Sequence, residues 1–269
     1  IPAGFSICLA SFSYSFIKSI TVFVVPLSFS DLIKENNCSL WFCAFSFSPE
    51  FALQFDSFLG APLRIIISRF SSYIPFSLTE AGFVLCILNT GGNHADLNED
   101  YASVPAEMKR VANYFGKEVL REVDEQELLA AIPRLRESLG DRAILRALHF
   151  VEENRRVLAQ REALERGDLD GFFDGVLASG RSSFCYLQNV YTTKNVSEQG
   201  LSLALCISER LLSDKKAAWR VHGGGFAGTI QAFIRSEDVA GFRTLMDGVF
   251  GEGKCIVLRI RPEGAVKIA

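Results

Sequence analysis

The residues of this chain best suited to chemistry gather in one run, Arg220-Val221-His222-Gly223-Gly224-Gly225-Phe226-Ala227-Gly228-Thr229. Alternating segments flank it, Ala217 to Val221 before and Thr229 to Ile234 after, so strand, glycine turn and strand read as a hairpin. A two-residue hairpin needs one or two glycines, and this run holds four. Glycine lets backbone approach a ligand closely and leaves N–H groups pointing outward as an anion-binding concavity. A tight turn packed around Phe226 accounts for the same residues, and both readings stand at this point. His222 could orient the turn, whereas Arg220, on a strand, suits a salt bridge or the surface better than a phosphate clamp.

Three more stretches carry chemically capable side chains. One is Asn89-Thr90-Gly91-Gly92-Asn93-His94-Ala95-Asp96-Leu97, after the apolar run Phe83 to Leu88. The others are Arg146-Ala147-Leu148-His149 and Tyr186-Leu187-Gln188-Asn189-Val190-Tyr191-Thr192-Thr193. Tyr101 follows Asn98, Glu99 and Asp100 on what reads as a loop leading into a helix. A lone tyrosine there is more often structural. His94 and His149 read as satisfied structural histidines, and nothing in the spacing of Tyr191, Thr192 and Thr193 demands that they line a cleft.

Taken together, these four motifs resemble the galactokinases of the GHMP small-molecule kinase family, in the family's order and spacing. The resemblance covers roughly residues 76 to 268. It implies a GHMP C-terminal domain: a ferredoxin-like α/β sandwich with an antiparallel sheet and added helices. It implies ATP-dependent phosphorylation of the anomeric hydroxyl of galactose, with Mg2+; the expected cytoplasmic location comes instead from the scattered thiols, which suggest a reducing compartment. Tyr101 falls where a tyrosine hydroxyl of the family bonds the sugar. Gly223, Gly224, Gly225, Phe226 and Gly228 look like the family's third glycine motif, neighbours of the nucleotide phosphates. Homoserine and mevalonate kinases of the same family are a weaker match, because Asn89–Leu97 and Tyr186–Thr193 point to the galactose branch.

The chain departs from the family in what it lacks. It has no Pro-x-x-x-Gly-Leu-Ser-Ser-Ser run and no Gly-Glu-His-Thr, so neither a phosphate loop with its Mg2+ ligands nor the sugar-binding motif is found. Around Asp56, the segment Gln54-Phe55-Asp56-Ser57-Phe58-Leu59-Gly60 faintly resembles the catalytic-aspartate segment, without the expected glycine, methionine and glutamine. Phosphoryl transfer depends on positioned phosphates, a charge-neutralising metal and a group orienting the attacking hydroxyl. The expectation is therefore a wall of the site with little or no turnover. The alternative is a non-catalytic fragment, or a relic that binds sugar or nucleotide.

Composition bounds the rest. With 269 residues, a net charge of −3 and a pI near 5.8, the chain has no basic footprint for nucleic acid or an anionic membrane. Seven cysteines without a C-x-x-C pair do not make a disulfide framework, and Cys38 and Cys43 have no histidine pair to complete a zinc site. The average hides a break. From Ile1 to about Pro75 the chain is crowded with Phe, Ser, Ile and Leu and holds eight charged residues. Three origins stay open for residues 1–75: a membrane insert, a diverged remnant of a kinase N-domain, or translation of a non-native frame. The apolar stretch from Thr21 to Phe29 is too short to span a bilayer, and Pro26 interrupts it.

Residues 76–269 read as α+β. Phe83 to Leu88 is apolar throughout, as in a strand buried on both faces. Val104-Pro105 opens a helix from about Ala106 to Phe115, with Met108, Val111 and Phe115 on one face. A short helix from Glu125 ends near Pro133. Asp141 caps the longest helix, to Arg166, with Ile144, Leu148, Val151 and Leu158 as its buried stripe and the i,i+4 pairs Glu152–Arg156 and Glu162–Arg166 on a solvated face. Helices at Asp168–Tyr186, Ser197–Leu212 and Glu237–Phe250 and a strand from Cys255 to Arg261 complete the reading.

Overall fold

The computed structural model describes residues 76–92 and 97–258, and of the preceding residues the backbone of five strands. It divides into two units, residues 1–81 with 258–269, and residues 82–257. In the first unit, β1 (Phe23–Val24) runs parallel to β3 (Phe51–Phe55), and β2 (Phe45–Ser46) pairs antiparallel with the same strand. Strand β4 (Leu63–Ile67) lies antiparallel between β3 and β5 (Phe70–Ile74), with Phe51 opposite Ile67 and Leu63 opposite Ile74.

The second unit is built on β6 (Phe83–Asn89), β7 (Ala218–His222), β8 (Thr229–Arg235) and β9 (Cys255–Leu258), ordered β7-β8-β6-β9 in a four-stranded antiparallel sheet. The first and third strands lie side by side at the centre, with Phe83 opposite Arg235 and Asn89 opposite Thr229. The second strand joins the outside of the third, with Ala218 opposite Phe233. This is the split order of a ferredoxin-like sandwich. Its first crossover is swollen by α1 (Asn98–Tyr114), α2 (Glu125–Leu139), α3 (Asp141–Glu165), α4 (Leu169–Ser182) and α5 (Gly200–Leu212), and its second is α6 (Val239–Phe250).

Side chains alternate between the faces of a strand, and here both faces are covered. Cys86, Leu88, Ile230, Ala232 and Ile234 pack with Leu201, Leu205, Phe242 and Met246 of α5 and α6. Phe83 and Phe233 meet Phe173 of α4 on the other face, at ring separations of 4.9 and 5.9 Å. That double burial explains why β6 is apolar at nearly every position. A separate apolar core joins α1, α2 and α3 through Met108, Val111, Leu128, Leu135, Ile144 and Phe150.

Several helix boundaries differ from the sequence reading. Helix α1 begins at Asn98, so Tyr101 is helical and Pro105 lies inside the helix. Likewise α2 runs through Pro133 to Leu139. In both, a buried stripe continues past the proline (Met108 and Val111; Leu135), and its burial outweighs one missing backbone hydrogen bond. Asp124 and Asp168 cap α2 and α4, accepting from the N–H of Glu127 at 3.0 Å and of Gly171 at 2.8 Å. Asp141 is the first residue of α3 and not its cap, which is Gly140 at φ +83°. Helix α4 stops at Ser182, and a π-turn, Ser183–Leu187, then delivers the chain to Gln188 in the left-handed region.

Candidate functional site

The glycine run is a hairpin turn, with β7 and β8 on either side as expected. Gly223, Gly225 and Gly228 have φ of +93°, +80° and +97°, and Phe226 is left-handed at +61°. Such angles suit glycine and cost a bulky residue energy, so Phe226 must be held in place by its surroundings. Two residues from distant parts of the chain hold it. The Tyr101 ring stands edge-on to Phe226, centroids 5.5 Å apart, and its hydroxyl donates to the Gly225 carbonyl at 3.0 Å. Asn189, only 3% exposed, donates from its side-chain Nδ2 to the Gly224 carbonyl at 3.0 Å and accepts from the Phe226 N–H through its backbone carbonyl.

These contacts account for the surplus of glycine. A Cβ on Gly224 would lie 2.7 Å from the Tyr101 ring, and one on Gly225 would collide with the Asn189 carbonyl. The room that glycine creates is thus filled by the chain's own side chains. The other glycine stretch reaches the same turn. Thr90 donates from both N–H and Oγ1 to the Gly228 carbonyl at 2.8 Å, and a Cβ on Gly92 would stand 2.9 Å from that of Ala227. Thr192 Oγ1 donates to Asp100 at 2.9 Å, tying the Tyr191–Thr193 segment to the first turn of α1.

Behind this wall lies a charged layer, of which the sequence reading placed only Arg156, paired with Glu152, on a solvated face. Arg146, 1% exposed, donates to Glu107 at 2.8 Å, to Ser103 at 2.8 Å and to the Leu187 carbonyl at 3.3 Å. Further along α3, buried Glu153 accepts from Ser179 at 2.6 Å, pairs with Arg156 and lies 4.0 Å from Arg220. Arg220 therefore forms a salt bridge, as its strand position suggested, and donates to Ser179 at 2.5 Å. Of the expected stripe on α3, only Ile144 is fully buried; Leu158 is exposed, and Arg146, His149, Glu153 and Gln160 face inward. The spacing of Arg146, His149 and Glu153, three and four residues apart, is the sequence signal that marks that face.

His149 is buried with Nδ1 2.9 Å from Ser182 Oγ, and burial, aided by Arg220 and Arg156, pushes its pKa down to about 3. His222 sits 2.9 Å from Thr229 Oγ1, its pKa pushed down to about 4 by burial and by Arg220. Both are held neutral and inside, as structural histidines are. Asp56 and His94 lie outside the described residues. Among the described residues no His, Cys, Asp and Glu side chains group into a metal site, and no helix is long and apolar enough to cross a membrane.

Sheet order, helix-swollen crossover and glycine turn define a C-terminal GHMP-kinase fold. Within that class the chain is homologous, over its C-terminal part, to galactokinases. It is 29% identical over 165 residues to a galactokinase of Glaesserella parasuis, covering 61% of this chain and 41% of the relative. It is 32% identical over 133 residues to the human galactokinase, covering 48% and 32%. The structure matches that of Lactococcus lactis galactokinase complexed with galactose with a TM-score of 0.60 at 21% identity, over 78% of this chain and 53% of that one. No family model matches. The chain spans about two fifths of the length of the Glaesserella relative.

Proposed function

We propose that residues 76–269 form the C-terminal domain of a galactokinase-type enzyme, which transfers a phosphoryl group from ATP to the anomeric hydroxyl of galactose in the cytoplasm. The observation that carries this reading is the Tyr101–Gly225 hydrogen bond. It joins the residue matching the family's sugar-bonding tyrosine to the turn matching its third glycine motif. With its proton committed to Gly225, the hydroxyl keeps lone pairs that can accept from a sugar hydroxyl, and the ring offers an amphipathic surface. Gly223, Gly224, Gly225, Phe226 and Gly228 form the nucleotide side of the same wall.

As a 269-residue chain the protein binds but turns over little, because its sequence carries neither the phosphate loop nor the sugar motif of the family. Residues 1–75 are a separate segment, a diverged remnant of the N-domain or a non-native stretch. A relic without turnover is favoured by one further observation, that the turn's glycines make room for Tyr101 and Asn189 of the chain itself.

The test is calorimetric titration of the purified chain with galactose and with ATP, beside an assay for galactose-dependent ADP release. Binding without release is expected. Brisk release would overturn the claim of low turnover and make Asp56 the first residue to substitute. Binding of neither compound would overturn the proposal and leave only a non-catalytic fragment.

A further inference from the structure

We infer that Asn189 is the positioning residue of the glycine turn, and that the affinity of the wall for its ligand is set through it. The inference rests on the galactokinase-type reading for the ligand's identity, but not for the conformational claim. Residue 189 holds the turn twice, the Asn189 side-chain Nδ2 on the Gly224 carbonyl and its backbone carbonyl on the Phe226 N–H, and only the first bond needs the amide side chain. These two bonds bracket Gly225, whose carbonyl is thereby presented to Tyr101.

The grip is itself anchored. The π-turn Ser183–Leu187 and left-handed Gln188, at φ +57°, precede Asn189 and turn the chain into the site. Single π-turns and left-handed non-glycine residues are energetically poor and persist where neighbours over-determine them. Here the neighbour is buried Arg146, whose Nε donates to the Leu187 carbonyl while NH1 reaches Ser103 and Glu107 on α1, the helix that carries Tyr101. Both sides of the wall are thus referenced to one guanidinium. Asn189 Oδ1 is buried and makes no hydrogen bond. The side chain is therefore committed through its donor, and an acceptor of the same shape cannot replace it.

The experiment compares the native chain with Asn189→Ala and Asn189→Asp by site-resolved amide exchange, with calorimetry against galactose and ATP. Asn189→Ala removes the Nδ2 bond to the Gly224 carbonyl but keeps the backbone bond from the Phe226 N–H to residue 189. The loosened turn is expected to let the Phe226 amide exchange about tenfold faster, the equivalent of the one side-chain hydrogen bond lost, while amides of β8 from Ile230 to Phe233 keep their native rates. Affinity for whichever compound the native chain binds falls by a similar factor. In Asn189→Asp the carboxyl can donate to Gly224 only when protonated. Its excess exchange over the native chain at equal pH should therefore shrink from pH 8 to pH 5, a reversal that general damage to the fold would not produce. Native exchange at Phe226 in Asn189→Ala, or β8 accelerating as much as the turn, would overturn the inference. If the native chain binds neither compound, the proposed function fails while the exchange comparison still decides this point.

Discussion

Two faces of the same sheet are closed in opposite ways. Under α5 and α6 the contact is largely apolar and carries no charge, with Leu201, Leu205, Ile230, Ile234 and Met246 buried together and Ser208 turned to the Ala204 carbonyl of its own helix. Where α3 and α4 meet β7, the contact includes Glu153, Arg156, Ser179 and Arg220, three of them under a tenth exposed. An apolar contact gains from area removed from water and tolerates small shifts. A buried ion network gains little net energy, because desolvation offsets attraction, but it is costly to break at one member. Arg220 stands three residues before Gly223, so the unforgiving contact lies on the strand that leads into the turn.

The comparison breaks most visibly at its charged side. Glu153→Ala leaves Arg156 and Arg220 buried without their shared carboxylate, and should cost about 4 kcal/mol. Leu201→Ala on the apolar side should cost about 3 kcal/mol through lost burial and the cavity left behind. Urea titrations of both variants check this. The charged-layer argument fails if Glu153→Ala melts within 1 kcal/mol of the native chain.

A pH series sharpens the contrast. His149 has a folded pKa of about 3 against an ordinary 6.5, with burial the main cause and Arg220 and Arg156 adding to it. Between those values the unfolded chain holds a proton that the native chain refuses. Stability contributed by the neutral ring is therefore complete above pH 6.5 and is lost as pH falls toward 3, at up to about 1.4 kcal/mol per pH unit for one proton. His222, lowered to about 4, acts in the same direction. Urea midpoints from pH 8 to pH 5 should fall in the native chain and fall less in His149→Gln. Equal slopes would show that His149 is not the group responsible.

The same contrast explains what could be read from the chain. Wherever burial is apolar, the pattern was plain: β6 as a strand covered on both faces, β7 and β8 around the glycine turn, and the extent of α5. The glycine turn, Tyr101 and the Tyr186–Thr193 stretch were found as motifs, and the structure places them within contact of one another. Legibility failed where a polar residue is buried or a proline is overruled. Glu153 and Arg146 have the same composition as solvent-facing Glu162 and Arg166, and only the tertiary partners Ser179, Arg220, Glu107 and Ser103 distinguish them. Pro105 and Pro133 obey their local rule until a buried stripe on the same helix outweighs it. Asn189 lies within one of the motifs, yet nothing in the sequence signals its grip on residues 224 and 226, more than thirty positions away.

The smallest effect isolates burial as the variable, since it uses the same helix and the same residue types. Glu162 and Arg166 near the end of α3 lie 3.8 Å apart, with side chains 65% and 63% exposed. Glu153 and Arg156, nine and ten residues earlier, pair at 3% and 15% exposure. In water the exposed pair is worth a few tenths of a kcal/mol, since solvent screens it and holding two long side chains costs entropy. Glu162→Gln should therefore shift the urea midpoint barely beyond error, and the residual difference should vanish in 1 M NaCl, where the screening length is about 3 Å. The loss in Glu153→Ala should survive that salt, because ions do not reach a carboxylate closed in by α3, α4 and β7. If salt erased both differences equally, the Glu153 layer would be solvent-accessible and the contrast between the two faces would dissolve.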